Sequence, residues 1–252
     1  MNIAVLLRVV PDPVEELELS SGGTDLDRDF LGFVVNEFDE HALEEALLLK
    51  EEAGGSVTAF ALGTADEVTQ MLHTALAKGA ASAIKLGDGL DPLDAHAQAE
   101  LFAEAVKGGS FDAVLCGVQA SDELDGQVAM LLAARLGLPH VSVVVGVRPA
   151  DGGLRVTKEY WAGITAEFRV DLPVVLGVQA ARQPPRYVAV AKIREAQQSG
   201  ALQEIDVTAP MSASGLRVTA MRIPETAEGA EMITGDEIAA ADRIAELIRE
   251  AR

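Results

Sequence analysis

Residues 112–139 read DAVLCGVQASDELDGQVAMLLAARLGLP, and their order sets the pattern for the chain. Asp112–Cys116 is a short apolar run bounded by turn residues, the pattern of a strand buried on both faces. Gly117 to Asp125 is polar and reads as a loop. From Gly126-Gln127 onward a helix carries Leu131, Leu132 and Leu136, and Pro139 lies just beyond it.

Upstream, the same order of strand, loop and helix recurs. Ile3-Ala4-Val5-Leu6-Leu7 is a continuous apolar run ended by Pro11 and Pro13. Residues 14–35 alternate, turn at SSGG and become apolar again, which suggests a hairpin-like insertion. Asn36 then caps a helix. Phe38, Ala42, Ala46, Leu49 and Ala53 fall at helical spacing, Leu43 and Leu47 lie beside them, and Glu37, His41, Glu44 and Glu45 cover the other side. Gly54-Gly55 stops it. Val57–Leu62 is a second strand, and Gly63-Thr64 turns into a helix ending near Gly79. Ala83–Leu86 is a third strand, followed by a helix from Asp94 to Lys107. About four alternations with short loops imply an α/β fold, a doubly wound and mainly parallel sheet with helices on both faces. Ligands of such sheets lie outside the carboxyl ends of the strands, here Arg8–Asp12, Gly63–Asp66 and Gly117–Asp125.

Downstream of Pro139 the character changes. Val141–Val147, Leu154–Tyr160 and Val174–Val178 read as strands without intervening helices. From Pro184 the chain is broken by Pro185, Pro210 and Pro224 before a final amphipathic helix with Ile238, Ala241, Ala245 and Ile248 on one side. The expected organisation is a core domain over residues 1–183 and a C-terminal extension over 184–252. An extension that cannot form its own core needs a surface to pack on, either this domain or another chain.

Composition narrows the classes of function. The formal net charge of −20 over 252 residues leaves no basic stripe to displace counterions from phosphates, which argues against nucleic acid. It also argues against anionic membrane surfaces. The amino terminus lacks signal-peptide architecture, and no stretch approaches the roughly 18 apolar residues of a membrane span. Cys116 is the single cysteine, so no intrachain disulfide can form. These features suggest a cytoplasmic protein without membrane insertion.

Catalytic motifs are lacking. There is no GxSxG, HExxH, Walker A or GxGxxG. The four histidines, His41, His73, His96 and His140, are scattered, and solvated or capping roles suit them better than catalysis. Cys116 is expected to be a small buried hydrophobe. Asp122, Glu123 and Asp125 form an acidic cluster, for which loop solvation and helix capping are favoured over a metal site. The helix start beside it offers free N–H groups and a positive dipole end, so main-chain amides could hold a nucleotide phosphate without a lysine. Gly126 would allow a close approach.

Three stretches together resemble the electron-transfer flavoprotein β subunit family. They are VLLRVVPD at 5–12, NEFDEHALEEALLLKE at 36–51, and residues 112–139. TALAKGA at 74–80, LPVVLGV at 172–178 and PPRYVAV at 184–190 resemble further family segments in the same order. The resemblance implies an adenine-nucleotide-binding α/β domain and a non-enzymatic role as an electron carrier. The implied partners are an α subunit, flavin-dependent dehydrogenases that donate electrons, and a quinone oxidoreductase or other acceptor. The implied cofactors are an FAD shared with the α subunit and an AMP held by this chain.

Position by position, the resemblance puts cofactor contacts at Leu6, Asn36, Glu37, Phe38, Asp39 and Leu62. A further run of contacts comprises Asp122, Glu123, Leu124, Asp125, Gly126, Gln127, Val128, Ala129, Met130, Leu131, Leu132 and Ala133. Leu6 and Leu62 would act through backbone or shape. Phe38 matches an aromatic near the flavin, although its spacing equally suits a core residue. Arg186, Tyr187 and Val190 fall in the segment that docks partners. Val190 stands where the family has leucine, and KIREAQQSG replaces its usual lysine-rich run. Gln127-Val128 is similar to members that bind a second FAD in place of AMP and bifurcate electrons, but Glu123, Leu124 and Ala129 depart from their pattern. AMP is the favoured occupant. A different class, a stand-alone adenine-nucleotide sensor of the stress-protein type, shares the architecture and would be a homodimer.

Overall fold

The structure, a computed structural model, describes residues 1–28, 31–63, 65–87, 93–123, 126–207, 218–224, 230 and 232–250. Thr64, Leu124, Asp125 and Pro210 lie outside the described residues.

Among the described residues, nine strands form one sheet. The central strand is β1 (Asn2–Leu7), and its apolar run splits by alternation onto the two sheet faces. Ile3, Val5 and Leu7 join one core cluster, and Ala4 and Leu6 join the other. A short antiparallel pair follows, β2 (Val9–Pro11) with β3 (Phe33–Val35). It bounds the insertion, in which Leu19 and Leu26 form one isolated bridge. Next come α1 (Glu37–Ala53), β4 (Ser56–Leu62), α2 (Asp66–Lys78), β5 (Ser82–Leu86), α3 (Ala95–Lys107), β6 (Ala113–Gly117) and α4 (Val128–Leu136). Helices α1 and α2 cover the face of Ile3 and Val5 through Leu43, Leu47, Met71 and Leu72. Helices α3 and α4 cover the opposite face through Phe102, Val106, Val128 and Leu132. Burial of a side chain such as Phe102, which is fully covered, contributes about 1.5–3 kcal/mol.

The remaining strands are β7 (His140–Ala150), β8 (Gly153–Glu159), β9 (Thr165–Asp171), β10 (Val174–Val178) and β11 (Leu202–Ile205), with α5 (Val190–Gln198) before β11 and α6 (Glu237–Glu250) near the end. The sheet order is β11-β5-β4-β1-β6-β10-β7-β8-β9. Pairing is parallel from β11 through β7, whereas β8 runs antiparallel to both of its neighbours, β7 and β9. This is the doubly wound α/β architecture expected from the alternation.

Three features depart from the sequence reading. Strand β9 was not anticipated, because this edge strand with no buried residue shows only an alternation of Ala166, Phe168 and Val170 with polar residues and not a continuous apolar run. Within the extension, β11 pairs with β5, so a segment beyond residue 184 completes the parallel sheet. Glu44 and Glu45 do not lie on a solvated helix face. They are 3% and 0% exposed and paired with arginines from beyond β10.

Candidate functional site

The chain leaves β1 toward β4 and β5 on one side, then returns through α3 to β6 on the other. The strand order therefore reverses between β1 and β6, and in sheets of this kind the ligand crevice lies at such a reversal, outside the carboxyl ends of the strands. Arg8 follows β1 there, Gly117 ends β6, and Asn36 to Asp39 start α1.

Arg8 organises this point. Its Nε donates to Asp39 Oδ2 at 2.9 Å and its Nη2 to Asp39 Oδ1 at 3.1 Å. Its Nη1 donates to Glu123 Oε1 at 2.6 Å. The carbonyls of Gly117 and Gln119 accept from Nη2 at 3.4 and 3.3 Å. Asp39 also accepts the backbone N–H groups of Arg8 and Gly117, at 3.0 and 2.6 Å. Asn36 donates through Nδ2 to Gln119 O at 2.9 Å, and its backbone N–H donates to Arg8 O. Among the described residues its side chain makes no capping bond to α1. It joins the two loops instead.

The side chains of Arg8, Asp39 and Glu123 are 7%, 0% and 6% exposed. Burial alone would weaken the guanidinium's hold on its proton, but Asp39 and then Glu123 outweigh that effect and raise its pKa. Burial pushes the Glu123 carboxyl above its ordinary value against the pull of Arg8. Glu123 also accepts from Ala120 N–H, so its role is a buried tie across the loop rather than loop solvation. Asp122 beside it is exposed. Cys116, the last residue but one of β6, is fully buried, and burial pushes its thiol up to about 12. It packs as a small hydrophobe, as expected.

Two glycines fit the crevice tightly. A Cβ at Gly117 would stand 2.6 Å from Asp39 Oδ1 and 2.7 Å from the Phe38 Cβ. Gly126 adopts φ +59°, and a Cβ there would meet the Gln119 Cβ at 2.8 Å. At the start of α4, among the described residues, the first intrahelical bond is Leu131 N–H to Gln127 O. The amides of Val128, Ala129 and Met130 precede it and are the donors a helix start leaves for an anion.

The residues singled out from sequence fall into three settings. Asn36, Phe38, Asp39, Glu123, Gly126 and Gln127 surround the crevice, and Glu37 is exposed at the first turn of α1. Leu6, Val128, Ala129, Leu132 and Ala133 point into the core of the α3–α4 face, with Leu62 and Leu131 packed against it. Only their backbone or their shape is available to a ligand. Met130 is exposed. Arg186, Tyr187 and Val190 lie elsewhere, where Arg186 is bound to α1 through Glu44 and Glu51.

Arg8, Gly117 and Gln119 were not named as site residues, although each stands at a strand end or within the loop that sequence had marked. Arg182 and its partners Glu45 and Glu52 were missed altogether. Their signal was present as Glu-Glu at 44–45 and again at 51–52, a seven-residue repeat on one helix. No helix among the described residues is long and apolar enough to cross a membrane.

Residues 26–210 match the family model described as the electron transfer flavoprotein domain. The chain is similar to the electron transfer flavoprotein subunit beta of Methylophilus methylotrophus, 31% identical with 99% of this chain and 98% of the relative covered. It is 27% identical to the protein of that name from Bacillus subtilis, over 99% and 98% of the two chains. The Clostridium acetobutylicum protein of the same name is 35% identical over 77% of this chain and 74% of its own length. With a family model spanning most of the sheet and relatives aligned from end to end, the chain belongs to the electron transfer flavoprotein β subunit family.

Proposed function

We propose that this chain is the β subunit of a heterodimer that carries electrons from flavin-dependent dehydrogenases to an acceptor such as a quinone oxidoreductase, and that it holds a structural AMP. The observation that carries the nucleotide reading is the start of α4 at the point where strand order reverses, a helix N-terminus beside the loop that Gly117 and Gly126 let pack closely on α1 and on Gln119. The chemistry of that donor set suits a phosphate. Main-chain amides and a helix dipole attract the anion, and Arg8 is already committed to Asp39 and Glu123.

FAD, bound between this chain and an α subunit, supplies the redox chemistry. The residues of this chain bind, orient and exclude water. Asn36 and Asp39 fix the start of α1 against β6, and that fixes where Phe38 stands. Leu6 and Leu62 contribute shape at the strand ends. In this reading the chain is a carrier subunit rather than a catalyst. Residues 184–252 act as an extension that reaches the partner, with Tyr187 and Val190 on its exposed docking segment. The chain's single cysteine, Cys116, suits a reducing cytoplasm.

Co-expression with an α subunit followed by size exclusion tests the reading. A yellow 1:1 heterodimer, reducible by a flavin dehydrogenase, is expected. A colourless homodimer would contradict it and favour a nucleotide sensor.

A further inference from the structure

The stretch after β10 is held to the outer side of α1 by two arginines, each set against two glutamates seven residues apart. Arg186 donates from Nε and Nη2 to Glu44 at 2.8–3.0 Å and from Nη1 to Glu51 at 2.7 Å. Its backbone N–H donates to Glu44 Oε2 at 2.9 Å. Arg182 donates its backbone N–H and Nε to Glu45 at 2.9 and 2.7 Å, and its Nη1 to Glu52. Seven residues advance a helix by about 10.5 Å with only about 20° of rotation, so the glutamates form a two-rung ladder on one side of α1. His41 Nδ1 adds a contact by accepting from Ala181 N–H at 3.2 Å.

Apolar packing contributes little to seating this stretch. None of residues 179–190 is fully buried, and α5, which follows, has no buried side chain. A cleft of about 340 Å³ lies between α5 and α2, lined by Leu76, Ala77, Ala80, Lys192, Ala196 and Ala201. The next firm attachment is β11 on β5. The segment is therefore fastened at its two ends, and between them α5 rests on α2 without burying a side chain of its own. Every donor group that Arg186 uses is turned inward to Glu44 and Glu51, while Tyr187 beside it is 89% exposed and Val190 57%.

We infer that Arg186, with Arg182 behind it, is a positioning residue: it does not meet the docking protein but fixes the attitude at which Tyr187, Val190 and the first turn of α5 are presented to a flavin-dependent dehydrogenase. The docking role rests on the proposed function, whereas the clasp rests on the geometry alone.

The test uses the αβ heterodimer with Arg186→Ala, and the flavin-dependent dehydrogenase found to reduce the wild-type heterodimer, with its substrate as reductant. Backbone hydrogen exchange over residues 187–198 rises about tenfold while exchange over α1 stays unchanged. KM for the dehydrogenase rises about tenfold while kcat and flavin content hold. Glu51→Gln, which spares the Arg186–Glu44 bonds, gives the same pattern at about two- to threefold and decides the matter if Arg186→Ala does not fold. Unchanged exchange over 187–198 would overturn the clasp, and raised exchange with unchanged KM would overturn the positioning role. A wild-type heterodimer that no such dehydrogenase reduces would count against the carrier reading instead, leaving the exchange result to judge the clasp.

Discussion

Helix α1 carries two kinds of arginine–carboxylate knot, and they differ mainly in their access to water. At its N-terminal end Arg8, Asp39 and Glu123 are nearly sealed, with side chains at most 7% exposed. Farther along, Arg186 is 31% exposed and its outer partner Glu51 is 55% exposed. In both places a guanidinium fork meets two carboxylates, the geometry for which arginine is suited. In the sealed knot the desolvation of three charges is offset only if every group keeps its partner, so loss of one is severe. In the outer rung of the clasp, at Glu51, water replaces a lost partner, so that contact is adjustable and salt-sensitive, although the inner Glu44 is itself buried. The sealed knot fixes the crevice. The open clasp holds a segment with little apolar seating of its own.

The largest expected effect comes from breaking the sealed knot. Asp39→Ala leaves Arg8 buried without its main partner and removes the acceptor of two backbone N–H groups. Stability falls by about 3–5 kcal/mol, read from the urea midpoint of the purified chain. A loss no larger than that of a surface substitution would place the knot in water and erase the contrast.

Next is Gly117→Ala. The added methyl would stand within 2.7 Å of Asp39 Oδ1 and the Phe38 Cβ, so α1 must shift. The expected cost is about 1–3 kcal/mol, measured in the same unfolding assay, together with weaker nucleotide retention in the heterodimer.

A smaller effect concerns pH. Burial holds the Glu123 carboxyl above its ordinary value of 4.5 in the folded chain. A group raised in this way favours the folded state below its unfolded pKa, and that contribution is lost as pH rises through the folded value. Glu123→Gln removes the titration and keeps an acceptor for Arg8. The thermal midpoint of the variant relative to wild type should therefore climb as pH rises above about 4.5 and then level off. A difference that stays flat across this range would mean that Glu123 is solvated.

The smallest effect belongs to the outer rung of the clasp. Glu51→Gln costs no more than about 0.5 kcal/mol in stability. The difference should shrink further at 1 M salt, where the screening length falls to about 3 Å. A larger loss would show that the clasp is sealed as well.

The parallel core was legible in the sequence because its strands are continuous apolar runs and its loops carry glycine at the strand ends. Val174–Val178 was read with the bounds the structure gives it, and α3 begins beside Asp94, whose side chain accepts from Ala97 N–H. Strand β9 was not recognised, because its signal is the alternation of Ala166, Phe168 and Val170 with polar residues rather than the continuous apolar run that marks the central strands. The crevice was located in outline, since strand ends and helix starts follow from local sequence. Arg8 was passed over because its partners lie 31 and 115 residues away. The glutamate ladder failed for the same reason. A helix face that looks solvated becomes buried only when arginines more than 130 residues distant fold onto it.

The direct test of the central claim is the nucleotide content of the heterodimer. After denaturation, chromatography of the released nucleotides should give one FAD and one AMP per αβ pair. Two FAD and no AMP would replace structural AMP with a second flavin at the start of α4, and no adenine nucleotide beyond a single FAD would contradict a nucleotide site in this chain.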